Sequence, residues 1–163
     1  MRQLDFNPTK TSEEFHRNYR LHDLAEEVGL NLLVQWGFEF SEFGKDKRYE
    51  KLWEKGEDKP DMIVSYNGKS VLLDWKGKQS RKWQINERAV KSYENWKKKL
   101  KMEMIICFFV FDQNKVLMDR KFAVLGVNNY TKVAKMQWDK NKTVEFENNL
   151  LEFNRENFAR IFE

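Results

Sequence analysis

Apolar residues at Leu21, Leu24, Ala25, Val28, Leu32 and Trp36 fall on one face of an α-helix. Ser12 stands ahead of them as a candidate N-cap, Glu13 and Glu14 fill a first turn, and Gly37 supplies a stop, so a helix or a pair of helices is predicted from Ser12 to Trp36. The ten residues before it read as an arm. Phe38-Glu39-Phe40-Ser41 alternates as a strand does. The charged stretch 44–59, which carries Tyr49 and Trp53, reads as a long loop with room for a short helix.

Two β-type runs follow, Asp61 to Tyr66 and Lys69 to Trp75, joined by Asn67-Gly68, the strongest short signal for a hairpin. Ile85, Ala89, Tyr93, Trp96 and Leu100 then recur at helical steps, with lysines on the opposite side. Met104 to Phe111 is an unbroken apolar run suited to a central strand buried on both faces. Later signals are weaker: strands near Phe122–Val127, Val133–Trp138 and Thr143–Glu147, then a helix from Asn149 to Phe162. With 163 residues, no repeat and aromatics spread throughout, the chain reads as one α/β domain, residues 1–163, with a core over about 12–111 and a C-terminal α+β extension over 112–163.

The eight-residue apolar run is too short to span a membrane as a helix, and Met1-Arg2-Gln3-Leu4-Asp5 lacks the apolar start of a secretory signal. One cysteine, Cys107, excludes an internal disulfide and a multi-cysteine zinc site; set in an apolar strand it is a small buried hydrophobe. A reduced, cytoplasmic protein without a membrane partner is expected. The net charge of +4 is mild, but residues 76–101 hold ten Lys and Arg against two Glu, a surplus suited to a polyanion.

The hairpin register brings chemistry into view. A two-residue turn at Asn67-Gly68 pairs Tyr66 with Lys69, so that paired numbers sum to 135 and Asp61 falls opposite Asp74. Lys76 lies on the same face as Asp74, and Ile63 and Leu72 complete that face. Facing carboxylates repel, and a divalent cation offsets the repulsion. Oxygen ligands suit Mg²⁺ or Mn²⁺, which acidifies bound water and polarises a phosphoryl oxygen; a neighbouring lysine stabilises the charge that develops. The acid-x-Lys triplet alone is uninformative, because composition predicts roughly three and three occur, at Glu57-Asp58-Lys59, Asp74-Trp75-Lys76 and Asp119-Arg120-Lys121. What distinguishes one of them is its place at the end of a hairpin whose first strand opens Pro60-Asp61.

Pro60-Asp61, twelve residues of hairpin and Asp74-Trp75-Lys76 resemble the PD-(D/E)xK nuclease superfamily, whose fold is restriction-endonuclease-like: a mixed central β-sheet with the active-site hairpin, flanked by helices. Glu26, Gly29, Leu33 and Gly37-Phe38 match the pattern of that family's leading helix, and Asp74 stands where Glu is commoner. The resemblance covers residues 20–111. It implies metal ligation by Asp61, Asp74 and the carbonyl of Trp75, a metal-ligating or orienting role for Glu26, and Lys76 as the catalytic lysine. Lys78 and Gln79, with Arg81 and Lys82 beside them, become candidates for nucleic-acid contact.

The implied activity is divalent-metal-dependent phosphodiester hydrolysis by a DNA endonuclease of repair, recombination, restriction, homing or phage type. The partner is nucleic acid, and a homodimer with an interface over Phe122–Trp138 is conceivable by analogy. Glu27 rivals Glu26 at the edge of the helix stripe. His22 is similar in position to the helix histidine of viral cap-snatching endonucleases, which keeps an RNA substrate open. Trp83, Tyr93 and Trp96 are able to stack bases, although the helical spacing of the last two fits a core. Two other readings stand beside these: a catalytically inactive nuclease-fold binding module, and an ordinary basic α/β protein in which Asp74 merely pairs with Lys76 or Lys78.

Overall fold

Pairing of Met62 with Leu73, Ile63 with Leu72, Val64 with Val71, Ser65 with Ser70 and Tyr66 with Lys69 reproduces the expected hairpin register in the computed structural model. The structure describes residues 12–43, 58–133 and 142–163, with side chains from Arg20 onward. The amino-terminal arm, most of the 44–59 loop and most of the expected Val133–Trp138 strand lie outside the described residues. Asn67 and Gly68 both take positive φ, as a tight turn between right-twisted strands demands.

A single helix, α1 (Ser12–Trp36), is followed by β1 (Glu39–Glu42), β2 (Met62–Tyr66), β3 (Lys69–Lys78) and β4 (Gln84–Asn86). After these come α2 (Glu87–Leu100), β5 (Met104–Phe111), β6 (Leu117–Val124), β7 (Tyr130–Lys132), β8 (Thr143–Phe146), β9 (Leu151–Glu152) and α3 (Arg155–Ala159), which runs into a 3₁₀ turn over Arg160–Phe162. The main sheet has the order β1-β2-β3-β5-β6-β9, parallel between β3 and β5 and antiparallel elsewhere. A small sheet, β4-β8-β7, stands apart from it. Every residue of β5 is buried, as its unbroken apolar run requires.

The two faces of the main sheet carry separate cores. On one face Val64, Leu73, Trp75, Cys107 and Phe109 meet Leu21, Ala25 and Leu33 of α1 and the C-terminal Phe153, Phe158 and Phe162. On the other, Ile63, Leu72, Ile106 and Phe108 meet Ala89, Tyr93 and Trp96 of α2 and the apolar side of the small sheet, Ile85, Val144 and Phe146. The C-terminal third therefore completes both layers. Trp83, Tyr93 and Trp96 are each at most 3 % exposed, so they belong to the core and are not base-stacking platforms. Trp83 donates its indole N–H to Asn148 Oδ1 at 3.0 Å.

Glycines in α1, in β3 beneath it and at its end have defined tasks. A Cβ on Gly29 would lie 2.4 Å from the Trp75 ring, and one on Gly77 would lie 2.1 Å from the Leu21 carbonyl oxygen, so α1 crosses β3 at backbone contact. Gly37, at φ +83°, ends the helix: its N–H reaches the Val34 carbonyl and the Phe38 N–H reaches the Leu33 carbonyl, as in a Schellman cap.

Several expected elements shift. Ile85 belongs to β4 and not to the amphipathic helix, which begins only after Asn86. The last helix is confined to Arg155–Ala159 because Leu151 and Glu152 pair with Phe122 and Lys121 of β6. The strand expected at Phe122–Val127 starts earlier, at Leu117, and ends at Val124, where Gly126 turns the chain at φ +90°.

Candidate active site

Ladder pairing stops at Met62–Leu73, and here the structure corrects the expected Asp61–Asp74 pair. The Asp61 N–H bonds to the Leu73 carbonyl at 3.0 Å, so Asp61 sits one step out of register. Pro60, which precedes it, has no N–H to extend the ladder. The Trp75 N–H, left beyond the end of β2, donates instead to Asp61 Oδ2 at 2.9 Å. Asp61 thus caps the hairpin with its carboxylate, and His22 of α1 reaches the same oxygen at 3.3 Å.

Asp74 projects from the opposite side of β3 from Trp75, toward the α2 layer. It is 3 % exposed. Its Oδ2 is buried without a properly oriented hydrogen bond, although the half-buried Lys76 ammonium lies 3.0 Å away. Burial pushes the Asp74 carboxyl up to about 7; Lys76 opposes the rise and Asp61 adds to it. Burial pushes Asp61 upward as well, but hydrogen bonds from His22, from the Asp74 carboxyl and from the Trp75 N–H outweigh it and hold Asp61 below the ordinary carboxylate value. Two carboxyl groups that share a hydrogen bond divide one proton unequally.

Burial pulls Lys76 down, yet Asp74 outweighs that and leaves it above the ordinary lysine value. Lys76 is therefore an ammonium at neutral pH. The hydrogen bond to Asp61 raises His22 in spite of its partial burial. Burial and the Asp61 charge also raise Glu26, whereas Glu27 is exposed. It is His22, though, and not Glu26, whose hydrogen bond joins α1 to Asp61. Tyr93, expected either to stack bases or to join the core, is a core residue whose hydroxyl is raised by burial and by the Asp74 carboxyl beside it.

Of the candidate nucleic-acid contacts, Gln79 and Lys82 are exposed. Lys78 donates to the Gln84 carbonyl at 2.7 Å, and Arg81 pairs with Asp119 at 3.0 Å. The basic surplus of 76–101 is partly spent in the same way, with Arg88 on Asp58 at 3.2 Å and Lys97 on the Leu125 carbonyl at 2.7 Å.

Among the described residues no three His, Cys, Asp or Glu side chains converge as a ready metal cluster. The donor chemistry still suits a hard divalent cation: a buried carboxylate oxygen lacks a hydrogen bond, and a second carboxylate shares a proton with its group. A cation would replace that proton.

No family model matches the chain, and no curated protein matches it. Among the solved structures it is similar to that of Hjc, a Holliday junction resolvase from the archaeal hyperthermophile Archaeoglobus fulgidus, at a TM-score of 0.52 and 13 % identity. The likeness covers 81 % of this chain and 91 % of that one. Together with the mixed sheet, its flanking helices and the acid-bearing hairpin, it shows that the chain has the restriction-endonuclease-like fold.

Proposed function

We propose that the chain is a divalent-metal-dependent nuclease that hydrolyses phosphodiester bonds as a DNA endonuclease. One observation carries this reading: the buried Asp74 carboxyl, one oxygen of which lacks a proper hydrogen bond, lies beside Asp61 and Lys76 at the end of the hairpin. Such a group is costly to a fold that makes no use of it. The similar structure is that of a Holliday junction resolvase, which favours DNA and, among the types of nuclease open to the sequence, recombination.

Asp61, Asp74 and the Trp75 carbonyl would hold Mg²⁺ or Mn²⁺, with Glu26 as a further ligand or an orienting acid. The ion supplies an acidified water and polarises the scissile phosphoryl group. Lys76, kept as an ammonium by Asp74, offsets the negative charge that accumulates on the phosphoryl oxygens in the transition state. His22 and the Trp75 N–H hold Asp61 ionised and fix its orientation. Lys78, Gln79, Arg81 and Lys82 lie along the path of the strand, Arg81 after release from Asp119. Two such chains cut both strands of a duplex if they pair.

The test is incubation of the purified chain with supercoiled plasmid, a four-way junction, linear duplex, single-stranded DNA and RNA, in Mg²⁺, Mn²⁺ or EDTA, beside Lys76→Ala. Metal-dependent cutting that is lost in a folded Lys76→Ala supports the nuclease; cutting undiminished by the substitution rejects it. The His22–Asp61 hydrogen bond favours a second reading, an RNA endonuclease, and preferential cutting of RNA in the same experiment selects it.

A further inference from the structure

At the end of β3, over Lys76 to Lys78, the small sheet faces the main sheet across a cleft of about 350 Å³. Lys76, Lys78 and Gln79 line one side; Gln84, Asn86 and Thr143 line the other. The small sheet is two-faced. Ile85 and Val144 enter the core, while the cross-strand neighbours Asn86 and Thr143, paired in register, stand on the alternate face together with Gln84. Lys78 donates to the Gln84 carbonyl at 2.7 Å and so ties β3 to β4 across the cleft.

Two groups on the small sheet have no internal work. Thr143 Oγ1 is buried without a hydrogen-bond partner. Asn86 occupies the N-cap position of α2, yet its side chain makes no capping bond. A buried hydroxyl left unpaired costs a fold free energy that a ligand's polar atom recovers. The two lysines of the cleft lining are engaged, Lys76 with Asp74 and Lys78 with the Gln84 carbonyl, and Gln84 gives its amide to Glu145 on the same face, so Asn86 and Thr143, more than net charge, decide what the cleft takes. Its amides and hydroxyl, donors and acceptors in a pocket at the small end of the ligand range of about 300–1,000 Å³, suit more than a bare anion.

We infer that this cleft binds the nucleotide next to the scissile phosphate, with Asn86 and Thr143 as its recognition residues and the small sheet as a substrate-positioning wall. The inference rests on the nuclease reading, because Lys76 is common to both. The cleft continues from the candidate catalytic lysine, so a strand whose phosphate lies at Lys76 has its adjoining sugar and base in reach of Asn86 and Thr143.

The test titrates thymidine 3′,5′-bisphosphate and, separately, inorganic phosphate into the full chain in EDTA by calorimetry, for the wild type, Thr143→Val, Thr143→Ser and Asn86→Ala. The bisphosphate is expected to bind at least about tenfold more tightly than phosphate. Thr143→Val and Asn86→Ala are each expected to weaken it by about threefold or more, and Thr143→Ser to restore it. In cleavage of a short oligonucleotide, KM is expected to rise by a larger factor than kcat falls. Equal binding of phosphate and bisphosphate, or bisphosphate binding indifferent to both substitutions in folded variants, overturns the inference. The two readings fail separately: cutting with the cleft variants indifferent removes the cleft and leaves the nuclease, while selective binding by a wild type that cuts nothing removes the nuclease and leaves a nucleotide site.

Discussion

His22 Nε2 lies 3.3 Å from Asp61 Oδ2, so that a hydrogen bond joins α1 to the residue that opens the β2–β3 hairpin. Each partner shifts the other: His22 is raised chiefly by that bond, and Asp61 is lowered by it against the upward push of burial. The raised histidine contributes stability that is complete below its unfolded value of about 6.5 and is lost as pH rises through the folded value. The lowered aspartate contributes stability present above its unfolded value and lost as pH falls through the folded one. The pair is therefore strongest in mildly acidic solution. With both side chains partly exposed, it is worth under about 1 kcal/mol. Thermal unfolding in EDTA should show His22→Ala less stable than the wild type near pH 6 and indistinguishable from it near pH 9. A deficit that grows with pH contradicts the assignment.

Asp74 behaves in the opposite sense to Asp61. Its carboxyl, pushed up to about 7 chiefly by burial, is favoured by the fold when it is protonated. Its contribution is present below the unfolded carboxylate value and disappears as pH rises through about 7. The metal-free wild type should thus lose melting temperature between pH 6 and pH 8, and Asp74→Asn should flatten that slope. Mn²⁺, in competition with the proton, should stabilise the wild type more at pH 8 than at pH 6 and leave Asp74→Asn unmoved. A metal-induced shift that survives the substitution places the ion elsewhere.

The hairpin was legible because Asn67-Gly68 fixes its register, and β5 because a buried strand must be apolar throughout. The family spacing of Glu26, Gly29 and Leu33 also has a physical basis: Gly29 must be small to clear Trp75, and Leu33 is fully buried on the same face. The local break at Asp61 was not legible, since it depends on a side chain capturing the Trp75 N–H once Pro60 ends the ladder. Three-residue β4 escaped because Ile85 lies four residues before Ala89, a helical spacing, while its own alternation is too short to register. The pairing of β6 with a two-residue β9 is a tertiary contact that no local pattern announces.

The close crossing of α1 over β3 makes a sharp prediction for Gly77→Ala. The new Cβ would meet the Leu21 carbonyl at 2.1 Å, and a backbone oxygen has no rotamer by which to move away. Such overpacking costs about 1–3 kcal/mol, and this contact belongs at the upper end. Because relief requires α1 to lift from β3, the His22–Asp61 bond should weaken too. Urea unfolding should report the lost stability, and the pH dependence that distinguishes the wild type from His22→Ala should shrink in Gly77→Ala. A variant as stable as the wild type shows that α1 does not lie at backbone contact.

Binding of nucleic acid should depend unequally on Arg81 and Lys82, two of the candidate contacts that follow Lys76. Lys82 is exposed, whereas Arg81 pairs with Asp119 at 3.0 Å and must give up that partner to meet a phosphate. Each phosphate contact adds about 0.9 to the slope of log affinity against log salt on duplex DNA. Lys82→Ala should lower the slope by close to that amount. Arg81→Ala should lower affinity less than Lys82→Ala does, because the wild-type arginine spends part of its interaction in leaving Asp119. Asp119→Asn, by freeing Arg81, should strengthen binding at low salt and steepen the slope. Anisotropy of a labelled duplex across a salt series, in EDTA to prevent cutting, separates these outcomes. Equal losses for Arg81→Ala and Lys82→Ala, with no gain from Asp119→Asn, show that the Arg81–Asp119 pair does not compete with DNA.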